Sequence, residues 1–179
     1  FGSSGLISYS ITDGNVDGHF VINSQTGAIT TQKYVDREAY ARFNLTIVAT
    51  DAASPFHQTD TQVLITIVDV NDNSPVLHYQ DDFASNYAVV QKATIASGTH
   101  LLAVNASDRD VGRNAKLVYA IPQTQSLLKM NVNTGDVTLA QGIDPFVTRS
   151  YNFSLEVRDD PVDPNEQRTT ASYIIVSFI

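Results

Sequence analysis

The chain has 179 residues, enough for two β domains of about 100 each, and at 42% hydrophobic it can bury a core. Its formal net charge of −8 speaks against nucleic acid, whose binding draws on clustered Lys and Arg. The absence of cysteine removes disulfides, zinc–thiolate centres and cysteine nucleophiles together.

In chain order, Phe20-Val21-Ile22 is the first strong apolar run, followed by the Thr26-Gly27 turn and Ala28-Ile29. Val35-Asp36-Arg37-Glu38 comes next, and residues 36–41 suit a single helical turn. Phe43, Leu45, Ile47 and Ala49 then alternate with Asn44, Thr46 and Val48, and Val63, Ile65 and Ile67 alternate with Leu64, Thr66 and Val68. A period of two predicts strands with one buried face. Turn dipeptides recur throughout: Asp13-Gly14, Asp17-Gly18, Ser54-Pro55, Ser97-Gly98, Thr134-Gly135 and Asp160-Pro161. No long stretch keeps a period of 3.6, and the apolar run at residues 173–179 is far shorter than the ~20 residues that cross a bilayer. Many short strands separated by turns predict an all-β protein, an antiparallel sandwich with Greek-key connections.

The pattern is repeated. Phe20-Val21-Ile22-Asn23 … Thr26-Gly27-Ala28-Ile29 matches Leu128-Lys129-Met130-Asn131 … Thr134-Gly135-Asp136-Val137, 108 positions on. The same offset carries Val35-Asp36 onto Ile143-Asp144, and the strand from Phe43 to Asp51 onto the one from Tyr151 to Asp159. Upstream, Leu6-Ile7-Ser8-Tyr9 matches Lys116-Leu117-Val118-Tyr119 at offset 110. An ordered series of this kind predicts two sandwich repeats, residues 1–73 and 74–179. The second has about 35 residues, from Pro75 to Asp110, ahead of the point that aligns with Phe1. The first is therefore expected to lack its opening strands. Alignment of Phe1-Gly2-Ser3-Ser4-Gly5 with residues 111–115 favours native sequence there over an expression-tag scar.

Acidic residues gather at the expected strand ends: Asp36, Glu38, Asp69, Asp72, Asp108, Asp110 and Asp159, with Asp51 the counterpart of Asp159. In a sandwich, alternate strand ends share a pole, so these carboxylates are predicted to surround the linker Asp69-Val70-Asn71-Asp72-Asn73. Two carboxylates about 6 Å apart repel by roughly 3 kcal/mol at an effective dielectric near 20. Oxygen ligands without His or Cys favour calcium or magnesium, and Asn71, Asn73 and Asn114 can add carbonyls. The neighbouring Arg37 and Arg109 are expected to point away from the acids. The bland alternative is a set of solvated turn residues. An EF-hand is a worse fit: Ser74 stands where its glycine belongs, and Gln80 where its final Glu belongs.

These motifs resemble cadherin repeats over the whole chain: Asp-x-Asn-Asp-Asn-x-Pro at residues 69–75, Val35-Asp36-Arg37-Glu38, Asp108-Arg109-Asp110, and Ala49-Thr50-Asp51 with Val157-Arg158-Asp159. The resemblance implies tandem seven-stranded sandwiches, an extracellular position on a membrane protein, and calcium-dependent adhesion to another cadherin, homophilic or heterophilic. It implies about three Ca2+ ions at the junction. By position, Asp36, Glu38, Asp69 and Asp72 would ligate on the first repeat's side and Asp110 would bridge. Asn71, Asn73 by its carbonyl, Asp108, Asn114 by its carbonyl and Asp159 would serve the second repeat's side, with a carbonyl from Val70. A long, non-standard cadherin is expected from two departures: Gln91-Lys92-Ala93 stands where an early Glu belongs, and Ile143-Asp144-Pro145-Phe146 has lost its Glu. A junction after Ile179 would accordingly bind calcium weakly or not at all.

Three Asn-x-Ser/Thr sequons, at Asn44, Asn105 and Asn152, fall on the outward phase of their strands and are candidate glycosylation sites. No enzyme is expected: His19, His57, His78 and His100 are scattered, and no phosphate loop or nucleophile triad is present. No membrane contact by this stretch is expected either. Two alternatives to adhesion remain, a spacer or tension-bearing strut within a long cadherin, and a carbohydrate-binding calcium module whose platform would use Tyr79, Phe83 and Tyr87.

Overall fold

The computed structural model describes residues 6–51, 57–78, 86–90, 96–122, 127–144 and 149–179. The chain divides into two compact units, Phe1–Asp69 and Val70–Ile179. Residues 70–73 fall in the second of these units.

In the first unit, β1 (Ile7–Asp13), β4 (Arg42–Asp51) and β5 (Gln58–Thr66) form one antiparallel sheet. β2 (Phe20–Ile22) and β3 (Ile29–Thr31) form a hairpin. Alternation decides the burial: Phe43, Leu45 and Ile47 are buried, whereas Asn44 between them is exposed. With Phe20 they make the core, against which Tyr9, Ile11, Val63, Ile65 and Ile67 pack. A single helical turn forms where expected, closed by the Tyr40 N–H donating to the Asp36 carbonyl at 2.9 Å.

The second unit holds β6 (Val76–His78), β7 (Asn86–Val90), β8 (His100–Ala103), β9 (Asn105–Ser107), β10 (Val118–Ala120), β11 (Leu128–Met130), β12 (Asp136–Leu139), β13 (Arg149–Arg158) and β14 (Thr169–Phe178). One sheet runs β10-β13-β14-β7 and the other β11-β12-β8, with β6 paired to β9. β6 and β7 lie in different sheets and are counted together as the opening strand, while Val104 alone separates β8 from β9. Merged in this way, the strands make a seven-stranded sandwich, and its non-sequential order is the Greek-key signature. Phe153, Leu155 and Val157 from β13, Ile174, Val176 and Phe178 from β14, and Val137 and Leu139 from β12 fill the space between the sheets. The expectation of purely antiparallel pairing needs one correction: β7 runs parallel to β14, Asn86 opposite Ile174 through Val90 opposite Phe178. The period of two fixes which face a residue takes but not the direction of its partner strand.

The repeat holds in atomic detail. Asn23 Oδ1 accepts the Gln25 and Thr26 N–H groups, and Asn131 Oδ1 accepts those of Asn133 and Thr134. Gly27 and Gly135 both sit at φ +73°, each against a tyrosine ring, Tyr9 and Tyr119 respectively. Tyr9 N–H donates to Ser24 O and Tyr119 N–H to Val132 O, both at 2.9 Å. The same short sequence therefore builds the same turn twice.

Candidate metal centre

Both units carry acids at their strand ends. In the first, residues 36–38 fold back on themselves, and Asp36 Oδ1 accepts the Glu38 N–H at 2.9 Å. This local turn holds the Glu38 side chain in place. Asp69 follows β5, and both it and Glu38 are largely buried. Arg37 corrects an expectation: rather than pointing away, its guanidinium pairs with both Glu38 and Asp69. Two carboxylates shielded from water draw the cation that the chain itself supplies, and Arg37 is adjacent to one of them.

In the second unit the same device recurs, the Asp110 N–H donating to Asp108 Oδ1 at 3.0 Å. Asp110 is buried, and Asn73 holds both of its oxygens: the side-chain amide donates to Oδ1 at 2.6 Å and the backbone N–H to Oδ2 at 3.2 Å. That orientation spends the Asn73 side chain on Asp110 and Asp72 and leaves its carbonyl as the group able to serve a ligand.

Asp159, directly after β13, has no solvent exposure. Its Oδ1 accepts the Arg168 N–H and its Oδ2 the Asn71 side-chain amide, both at 2.9 Å. The Asn71 amide also donates to the Glu166 carbonyl at 2.7 Å. Both of its partners are acceptors, so the amide orientation is fixed by the network. Asn71 Oδ1 is then left buried with no hydrogen-bond partner among the described residues, and Asp108 Oδ2 is in the same position. Burial pushes the Asp108 carboxyl above its ordinary value, and the like charges of Asp110 and Asp159 add to it against the opposing N–H groups of Asp110 and Arg109.

Several supporting residues were not visible in the sequence. Asp163 caps the short 3-10 turn at Pro164–Glu166 by accepting the Asn165 N–H at 2.9 Å, and this turn presents the Glu166 carbonyl to Asn71. Gln167 donates to the Asp159 carbonyl at 3.0 Å, and the Arg168 guanidinium to the Asn71 carbonyl at 2.8 Å. The Asp163-Pro164 step marks the turn, but nothing in the sequence marks Gln167 or Arg168 as supports. Of the other candidates, Val70 and Asp72 are exposed and Asn114 is half-buried. Gln91-Lys92-Ala93, Pro145-Phe146, Tyr79 and Phe83 lie outside the described residues, as does the side chain of Tyr87.

The second unit thus gathers three carboxylates and an amide oxygen, with two buried oxygens lacking a partner among the described residues. Buried polar atoms are normally satisfied, and an unsatisfied one costs about 1–3 kcal/mol. An oxygen-only donor set of this kind fits a hard divalent cation. Among the described residues, no helix is long and apolar enough to cross a membrane.

Fold and site together define an all-β tandem-repeat protein with carboxylate-rich strand ends. The cadherin domain family model matches residues 2–68 and 87–177. Human protocadherin Fat 4 is 36% identical over 159 residues, covering 88% of this chain and 3% of that protein. Rat cadherin-23 is 32% identical over 180 residues, covering 99% of this chain and 5% of that protein. Among solved structures, mouse cadherin-23 EC22-24 superposes with a TM-score of 0.84 at 29% identity, covering 100% of this chain and 56% of that one. The chain belongs to the cadherin family and consists of two consecutive extracellular cadherin repeats. It spans only a few per cent of the length of these curated relatives.

Proposed function

We propose that this chain is a stretch of an adhesion ectodomain in which calcium fixes the junction between the two repeats. The observation that carries this reading is the pair of buried, unpartnered oxygens, Asn71 Oδ1 and Asp108 Oδ2, beside the buried carboxylates of Asp110 and Asp159. Calcium takes six to eight oxygens in flexible geometry and so suits a mixture of carboxylates, amides and carbonyls. Asp36, Glu38, Asp69 and Asp72 would hold it on the first repeat's side. Asn71, Asn73, Asp108, Asn114 and Asp159 would hold it on the second's, with Asp110 bridging and Val70 adding a carbonyl, for about three ions. Bound calcium would compensate the acids' mutual repulsion and tie the repeats into one rod. Arg37, which now pairs with Glu38 and Asp69, would give up those carboxylates to the metal.

The whole protein would then act on the cell exterior, contacting another cadherin in a homophilic or heterophilic pair. A second reading is an internal spacer that carries tension without touching a partner. Asn44, Asn105 and Asn152, all exposed on strands, would carry N-linked glycans. Isothermal titration calorimetry of the calcium-stripped chain tests the metal reading. Uptake of about three ions supports it, and no saturable uptake at millimolar calcium refutes it.

A further inference from the structure

We propose that the glycans at Asn44 and Asn152 rest on apolar residues set directly across the sheet from them, so that in each repeat a sugar covers part of the outer sheet face. This rests on the glycosylation reading above. In the first repeat Asn44 on β4 is paired in register with Leu64 on β5. Leu64 is a large apolar side chain left 65% exposed. In the second repeat Asn152 on β13 is paired with Ile175 on β14, and its diagonal neighbour is Tyr173, 40% exposed. Paired cross-strand residues on one face have Cβ atoms about 5 Å apart, and aromatic side chains reach diagonal positions. The first N-acetylglucosamine of an N-linked glycan begins at the asparagine Nδ2 and has an apolar C–H face and an acetyl methyl group. From Asn44 and Asn152 that face meets Leu64 and the Ile175–Tyr173 pair.

The attachment chemistry is compatible with the observed bonding. Asn44 Nδ2 donates to Gln62 Oε1 at 3.0 Å. The amide has two hydrogens. The glycosidic bond replaces one, and the other remains for Gln62, which holds the linkage against the sheet. Covering exposed apolar surface is favourable in proportion to the area removed from water.

The third sequon is an internal comparison. Asn105 on β9 is paired with His78 on β6, whose ring nitrogen bonds the Ser107 hydroxyl at 2.7 Å. The directly paired position is thus a polar, already engaged imidazole, and the apolar residue on that face, Val76, 53% exposed, stands only diagonally.

The test uses the chain secreted from cells that attach N-glycans, with each sugar trimmed enzymatically to a single N-acetylglucosamine, and single variants N44Q, N105Q and N152Q. Intact mass reports occupancy and thermal unfolding reports stability. With all three sites occupied, N44Q and N152Q each lower Tm by about 2–4 °C, while N105Q, whose sugar has no directly paired apolar residue, lowers it less. In the Leu64→Thr and Ile175→Thr backgrounds the corresponding sugar no longer raises Tm. Cross-relaxation between the acetyl methyl and the Leu64 methyls gives a readout independent of stability. Unmodified Asn44 and Asn152 would overturn both the glycosylation reading and the footing. Occupied sites whose stabilisation is unchanged by Leu64→Thr and Ile175→Thr would overturn the footing alone.

Discussion

Asn71 shows how one side chain can serve two purposes. Its amide hydrogens go to Asp159 and the Glu166 carbonyl, and this leaves its oxygen buried and available. Asn71→Ala strips a partner from a fully buried carboxylate and from a backbone carbonyl. It is expected to lose about 2–4 kcal/mol even in chelator, as read by urea denaturation; wild-type stability in chelator would mean the network is slack. A second residue-level prediction concerns Asp136. The Thr134 hydroxyl, and after it His100, hold the Asp136 carboxyl below its ordinary value. A depressed carboxylate contributes stability that is present above its unfolded pKa and lost as pH falls through the lower folded value. Thr134→Ala should move the Asp136 titration upward in a carboxyl NMR experiment and shrink that contribution; an unmoved titration would contradict it. The site was only partly legible at this scale. Acids placed at strand ends and the Asp-x-Glu/Asp spacing could be read directly. The pairing of Arg37 with Glu38 and Asp69 could not, because adjacency in sequence leaves the side-chain direction open.

Among the elements, the turn between the second and third strands of the repeat pattern is the part most faithfully duplicated. Gly27 and Gly135 occupy the same left-handed conformation. Their surroundings differ: a Cβ at Gly27 would touch the Tyr9 ring at 3.4 Å, whereas at Gly135 it would come within 2.3 Å of the Val104 carbonyl oxygen. Gly27→Ala should therefore cost about 1–2 kcal/mol for the backbone alone. Gly135→Ala should cost clearly more, since backbone must move. Equal losses in denaturant unfolding would contradict this. Strand identity and burial phase were legible because Phe43, Leu45 and Ile47, and again Phe153, Leu155 and Val157, keep a strict period of two. The parallel pairing of β7 with β14 was not, since direction is set by the path of the chain between sheets rather than by any local pattern.

For the molecule as a whole, the repeat offset gave the two-unit organisation, and family membership follows from motifs distributed over both units. The proposed calcium set draws on both repeats, so its loss should be felt by the chain as a whole and not by one strand. A cation that binds only the native state adds RT ln(1 + [L]/Kd), about 2.7 kcal/mol when free calcium is a hundredfold above Kd. The most direct test is the thermal unfolding of this chain in millimolar calcium and in chelator, for the wild type and for Asp110→Ala. The wild type should melt at a clearly higher temperature in calcium, and Asp110→Ala should lose most of that gain. An identical Tm for the wild type in calcium and in chelator would contradict a calcium-loaded junction.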